Sequence, residues 1–229
     1  MLIVALDVFT LEEARSIVES TAAEVDWYKV GLQLLTAEGP EVVAYLKGLG
    51  KSVFLDLKLH EISASVANAI KAAGRHGVDM VTVHASGGGP MMTAAVEAAG
   101  EFPDLRVLAL TVVTGLSDED LLEIGFAQSC ADQVVRLAQL AQRSGCHGVI
   151  ASPQETQALR KLLSDSMLIV TPGIRMAGNE QQDQHRVGTP QHAIASGASH
   201  IVVGRPVVQA DSPVDAARAI NEQIRLAER

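Results

Sequence analysis

Alternation between two kinds of segment constrains this chain more than any single motif. Short runs rich in β-forming residues recur eight times, at Leu2–Val8, Asp26–Gly31, Val53–Lys58, Met80–Ala85, Arg106–Val112, Gly148–Ser152, Met167–Gly173 and His200–Gly204. Between them apolar residues fall at helical spacing, as in Leu11, Ala14, Ile17 and Val18, in Val134, Val135, Ala138 and Ala141, and in Ala216, Ala217, Ile220 and Ile224. Helix-start chemistry sits where that pattern needs it, at Thr10, Thr189-Pro190 and Asp211-Ser212-Pro213. Gly50, Gly74, Gly77, Gly145 and Gly197 fall after or near the helix ends. Eight βα units in a chain of this length predict a (β/α)8 TIM barrel, with a doubly wound open sheet as the alternative that strand count leaves open.

The 229 residues suffice for one large core, since a domain of this size buries about 70–75% of its unfolded surface. No linker, low-complexity stretch or shift in composition divides the sequence, so a single domain over residues 1–229 is expected. The N-terminal apolar run ends at Asp7, which excludes a signal peptide or membrane span there. Cys130 and Cys146 belong to no metal-binding spacing and read as reduced core thiols of a cytoplasmic protein. A formal net charge of −9 argues against nucleic acid or an anionic membrane as partner, while leaving room for a small anion in a local positive pocket.

The segment Val53-Phe54-Leu55-Asp56-Leu57-Lys58-Leu59-His60-Glu61-Ile62 carries the chemistry. Strand side chains alternate faces, which puts Asp56 and Lys58 on one side and Leu55, Leu57 and Leu59 on the other. Helices should cover the leucine face, leaving the charged face to look into the barrel, where unpaired charge is costly. Asp7, Lys29, His84 and Arg205 lie at other strand ends, and mutual pairing is what keeps several such charges tolerable in one mouth. Two polar connections, 113–128 and 174–188, are longer than the usual ~2–6 residues and follow the fifth and seventh strands, where barrels build active sites. Thr171-Pro172-Gly173-Ile174-Arg175 and Val203-Gly204-Arg205-Pro206 stand at the usual phosphate corner of the barrel, so a phosphorylated substrate is expected. Gly87-Gly88-Gly89 lacks a nucleotide-loop pattern and reads as a tight turn. Met91, Met92 and Trp27 read as packing residues, and His60 as a hydrogen-bonded neighbour. No histidine spacing suggests a metal site.

Taken in order, Val4-Ala5-Leu6-Asp7, Tyr28-Lys29-Val30-Gly31, Phe54 to His60, Thr82-Val83-His84-Ala85, Thr171 to Arg175, Asp183-Gln184 and Val203 to Pro206 are specific. With them the chain resembles the bacterial-type orotidine 5′-phosphate decarboxylase family over essentially its full length. The resemblance implies a cofactor-independent carboxy-lyase that converts orotidine 5′-monophosphate to uridine 5′-monophosphate in pyrimidine biosynthesis, working as a homodimer. Carried over by residue, it implies Lys58 as proton donor to C6 and Asp56 as the carboxylate facing that of the substrate. Lys29 and Asp7 would hold the ribose hydroxyls and complete the charge network. It implies Thr114 at the pyrimidine edge and Arg175, Gln184, Gly204 and Arg205 around the phosphate. Glu61, counted with the catalytic set, Ile62 and Ser65 would reach into the partner subunit's site.

The chain departs from the family pattern at two of these positions, with Glu61 where aspartate is usual and Ser65 where threonine is usual. The extra methylene of Glu61 displaces its carboxylate by on the order of 1 Å unless the backbone adjusts. Two other readings compete: a related Mg²⁺-dependent sugar-phosphate decarboxylase or aldolase barrel, and a non-catalytic barrel that binds a phosphorylated ligand.

Overall fold

All eight expected strands form in the computed structural model, which describes residues 1–176 and 187–228. The strands are β1 (Leu2–Ala5), β2 (Trp27–Gly31), β3 (Ser52–Leu59), β4 (Met80–His84), β5 (Arg106–Leu110), β6 (Gly148–Ile150), β7 (Leu168–Thr171) and β8 (His200–Val203). The first half of the chain interleaves them with α1 (Leu11–Thr21), α2 (Leu32–Glu38), α3 (Glu41–Gly48), α4 (Ser63–Arg75) and α5 (Gly89–Ala99). The second half adds α6 (Asp118–Glu123), α7 (Cys130–Arg143), α8 (Thr156–Leu162), α9 (Pro190–Ala195), α10 (Arg205–Val208) and α11 (Pro213–Ala227). Every strand pairs in parallel with its successor, and β8 returns to β1 with Leu2 opposite Ile201. That closure rejects the open doubly wound sheet.

Strand alternation sorts the apolar residues into two shells. Ile3, Phe54, Met80, Leu108, Ile150, Val170 and Val202 point inward and fill the barrel. Their neighbours Val4, Val53, Leu55, Val81, Val107, Val149, Ile169 and Ile201 point outward against helix residues such as Ala14, Val18, Val134, Ala138, Ala217 and Ile220. Each fully buried Val, Leu or Ile contributes about 1.5–3 kcal/mol, so the double shell supplies most of the driving force. The expected helix starts hold: Thr10 caps α1 in a reciprocal box with Glu13, and Thr189 caps α9. The long connection after β5 contains α6, started by a similar box between Ser117 and Asp120. Gly87-Gly88-Gly89 is the turn into α5, with Gly88 at φ 86°, and Met91 and Met92 are buried as expected. Cys130 and Cys146 are both buried.

The upper inward layer, toward the C-terminal ends of the strands, is divided. Lys29, Asp56 and Thr82 occupy it on β2, β3 and β4, while Leu110, Ile150 and Val202 face them from β5, β6 and β8. Nothing but side-chain pairing stabilises charge in such a layer, and that requirement shapes the site.

Candidate active site

A cavity of about 250 Å³ opens at the C-terminal mouth of the barrel. It gathers Asp7, Lys29, Asp56, Lys58, Thr114, Arg175, Gly204 and Arg205, each singled out from the sequence. Phe54, Leu110, Ile150 and Val202 line its other side, giving the polar groups an apolar wall. A wider hollow of about 350 Å³ lies at the opposite end, beside Met1, Asp26, Trp27 and Arg225. Barrel chemistry resides at the C-terminal face, and the ion-pair network is there.

Asp56 is the hub of that network. Its Oδ2 lies 2.7 Å from Lys58 Nζ and 3.8 Å from Lys29 Nζ, and its Oδ1 accepts a 2.9 Å hydrogen bond from the Thr82 hydroxyl. Lys29 Nζ in turn donates to Asp7 Oδ1 at 2.9 Å. Two cations and two anions thus balance in a site where Asp56 is buried and Asp7 half-exposed. Burial alone would push the Asp56 carboxyl up. The Lys29 and Lys58 ammoniums, with hydrogen bonds from Lys58 and Thr82, outweigh it and hold the carboxyl below its ordinary range.

Simple alternation predicted the shared face of Asp56 and Lys58, and the leucines behave accordingly, with Leu55 in the outer shell and Leu57 and Leu59 packed on it. The strand is not regular, however. Leu55 pairs with Val81 and Leu59 with Val83, so β3 spends four steps where β4 spends two. Lys58 lies within this bulge at φ 51°, the one non-glycine residue at positive φ among the described residues. A left-handed backbone costs a residue with a Cβ roughly 1–2 kcal/mol. The Lys58 N–H, displaced from the regular ladder, donates instead to the Thr82 hydroxyl at 2.8 Å. Bulges of this kind re-aim side chains, and here the result is the short Lys58–Asp56 pair.

Two glycines make room for the network. A Cβ on Gly31 would lie 2.9 Å from Lys29 Nζ, and one on Gly204 would lie 3.2 Å from Asp7 Oδ2. Across the mouth, Arg205 begins α10 directly after Gly204. Arg175 leaves β7 through a short parallel bridge: its N–H donates to the Gly188 carbonyl at 3.0 Å, and the Gly188 N–H donates to the Gly173 carbonyl at 3.1 Å. The two described ends of the polar connection 174–188 are thus tied together beside the cavity. Gln184 lies outside the described residues.

The remaining expected site residues are placed elsewhere. Glu61, Ile62 and Ser65 lie at the start of α4, just past the end of β3, and are exposed in the single chain rather than lining its cavity. His84 does not join the charged mouth. It lines a smaller hollow of about 70 Å³ beneath α6 and stacks on His60, ring centroids 5.4 Å apart, so His60 meets a ring rather than a hydrogen-bonding partner. Burial, then His60 and Lys58, lower the His84 pKa. Thr82 was missed from the sequence because threonine is an ordinary strand former. Stepping two residues at a time along the inward face of β4, from Met80 to Thr82 to His84, is the signal that finds it.

Fold and mouth together define a (β/α)8-barrel enzyme with an aspartate–lysine network at its C-terminal mouth. Comparison with known proteins makes this specific. The family model described as "Orotidine 5'-phosphate decarboxylase / HUMPS family" matches residues 1–220, and the chain belongs to that family. It is 46% identical over 224 residues to an orotidine 5′-phosphate decarboxylase of Chromohalobacter salexigens, covering 97% of this chain and 95% of the relative. To the enzyme of that name from Caulobacter sp. strain K31 it is 44% identical over 216 residues, 94% of this chain and 93% of the relative. The crystal structure of orotidine 5′-phosphate decarboxylase from Lactobacillus acidophilus superposes with a TM-score of 0.85 at 36% identity, covering 97% of this chain and 98% of that one.

Proposed function

We propose that this chain decarboxylates orotidine 5′-monophosphate to uridine 5′-monophosphate in pyrimidine biosynthesis, with no cofactor. The observation that carries the reading is the Asp7–Lys29–Asp56–Lys58 network facing Gly204 and Arg205 across one cavity. Arg175, Gln184, Gly204 and Arg205 hold the phosphate. Asp7 and Lys29 hold the ribose, and Thr114 meets the pyrimidine edge. The substrate carboxylate then lies against Asp56.

The bond from C6 to the carboxylate breaks, carbon dioxide leaves, and the electron pair stays on C6. The Lys58 ammonium stabilises that pair and gives it a proton, and solvent reprotonates Lys58. Repulsion between two carboxylates about 4 Å apart is worth ~4 kcal/mol at an effective dielectric near 20, about three decades of rate. A vinylic carbanion needs more, so the larger share comes from an ammonium already held in place where charge develops. The 2.7 Å Asp56–Lys58 contact and the bulge behind it supply that preorganisation. Remote phosphate contacts contribute binding energy that desolvates and orients the reacting ring.

The active unit in this proposal is a homodimer of one-domain barrels in the cytoplasm. Glu61, Ile62 and Ser65 reach the partner's site, and their exposure on the mouth side of β3 is consistent with that. The experiment is loss of orotidine monophosphate absorbance by purified protein in the presence of a chelator, alongside Lys58→Ala. Chelator-resistant turnover that disappears in the variant, with uridine monophosphate still bound, supports the proposal. Turnover retained without Lys58 sinks it, and chelator-sensitive turnover points to the Mg²⁺-dependent relatives.

A further inference from the structure

We infer that Thr82 is a positioning residue whose single hydroxyl fixes both the Asp56 carboxylate and the Lys58 backbone in the arrangement the reaction needs. The inference rests on the function proposed above. Thr82 is fully buried on the inward face of β4, and the cavity is not lined by it. Its contacts end on the two residues that do line the cavity.

A hydroxyl has one proton and two acceptor sites, and both kinds are used. The proton goes to Asp56 Oδ1 at 2.9 Å, and an acceptor site takes the Lys58 N–H at 2.8 Å. The first bond holds the carboxylate from below, leaving Oδ2 aimed at Lys58 Nζ 2.7 Å away. The second satisfies a backbone donor that the β3–β4 register shift takes out of the ladder. Without that acceptor, the left-handed backbone at Lys58 loses a compensation for its strain. One oxygen therefore anchors both ends of the reacting pair. The β-branched side chain of threonine has few alternatives at χ1, which keeps that oxygen where both partners need it.

Removing the hydroxyl while keeping the shape isolates this role. In Thr82→Val, kcat should fall about 10- to 100-fold, the range expected when a reacting group drifts by up to 1 Å. Binding of uridine monophosphate should stay within about threefold, because the phosphate and ribose contacts are untouched. The groups facing Asp56 are Lys58 on its own strand, Lys29 on β2 and Thr82 on β4, with Asp7 behind Lys29. Loss of the Thr82 bond leaves the carboxylate less stabilised, so the acid limb of kcat/KM should move to higher pH. Thr82→Ser should restore kcat to within about threefold and return the acid limb to its wild-type position. If Thr82→Val fails to fold, Thr82→Ser against Thr82→Ala gives the same comparison, since those two differ by the hydroxyl oxygen alone. Unchanged kcat in the hydroxyl-free variant, an unmoved acid limb, or equal losses in kcat and nucleotide binding overturns the inference. Absence of turnover in the wild-type protein overturns the functional reading and this inference together, which separates the two failures.

Discussion

Replacing Gly31 by alanine separates the demands of the fold from those of the site. Gly31 has φ −98° and ψ −175°, an extended conformation that alanine adopts freely, so backbone strain does not enter. The new methyl would stand 2.9 Å from Lys29 Nζ. Ordinary contact requires about 3.5 Å, so the ammonium must retreat by about 0.6 Å. At an effective dielectric near 20, that lengthening weakens the approach to Asp56 by about 0.6 kcal/mol and the pair with Asp7 by about 1 kcal/mol. Asp7 is half-exposed, so about half of its part is lost to solvent screening, leaving a penalty near 1 kcal/mol. The expected result is about a fivefold fall in kcat/KM for orotidine monophosphate. Stability should hold or rise, because alanine restricts the unfolded chain by about 0.4–1 kcal/mol and only a flexible side-chain tip has to move. Steady-state kinetics and thermal unfolding of the same preparation read both quantities. Full activity would show that the position of Lys29 does not matter to the reaction. A loss of stability beyond about 2 kcal/mol would show that the clash falls on the fold instead.

Two further predictions concern groups away from the mouth. His200 is buried, touches Trp27 edge-on with ring centroids 5.5 Å apart, and neither ring nitrogen has a hydrogen-bond partner among the described residues. Burial, then the Met1 ammonium, lowers its pKa to about 4. The unfolded histidine, near 6.5, binds more protons, so stability should fall as pH drops from about 6.5 toward 4, by about 2 kcal/mol at pH 5. Denaturant titrations of wild type and His200→Phe at pH 7 and pH 5 check this, and equal pH dependence in the two would refute it. Burial pushes the Cys146 thiol up to about 12, so the native protein should leave it unalkylated at neutral pH until denaturant is added. Mass spectrometry of the labelled protein reads the outcome, and rapid native labelling would contradict it.

The architecture was legible because its signal is repeated: eight apolar runs and the intervening helical spacing point one way, and misjudging an end by two residues changes nothing. Most of the cavity was legible for a related reason, since Asp7, Lys29, Asp56 and Arg205 lie at strand ends and the barrel brings those ends together. Closure was not, because an open sheet uses the same strand count. The bulge at Lys58 was hidden as well, since Leu-Lys-Leu-His reads as plain alternation and the positive φ arises from pairing with β4. His84 shows the limit of the strand-end rule, for its ring stacks on His60 and lines a separate hollow. Glu61, Ile62 and Ser65 are exposed in the single chain, and no pattern within one sequence reports what an exposed side chain meets.

The division of the upper inward layer bears on how the barrel finds its correct pairing while it folds. A slip of one residue in β2, β3 or β4 would turn Lys29, Asp56 or Thr82 outward, into the apolar shell beneath the helices. There the two charges would be stranded without each other and the hydroxyl without Asp56, at a cost of several kcal/mol. The same slip would bring Tyr28, Leu55 or Val81 to the mouth. The buried charges of the mouth thus penalise misaligned pairing of these strands, so the register that stabilises the barrel is also the one that assembles the Asp7–Lys29–Asp56–Lys58 network.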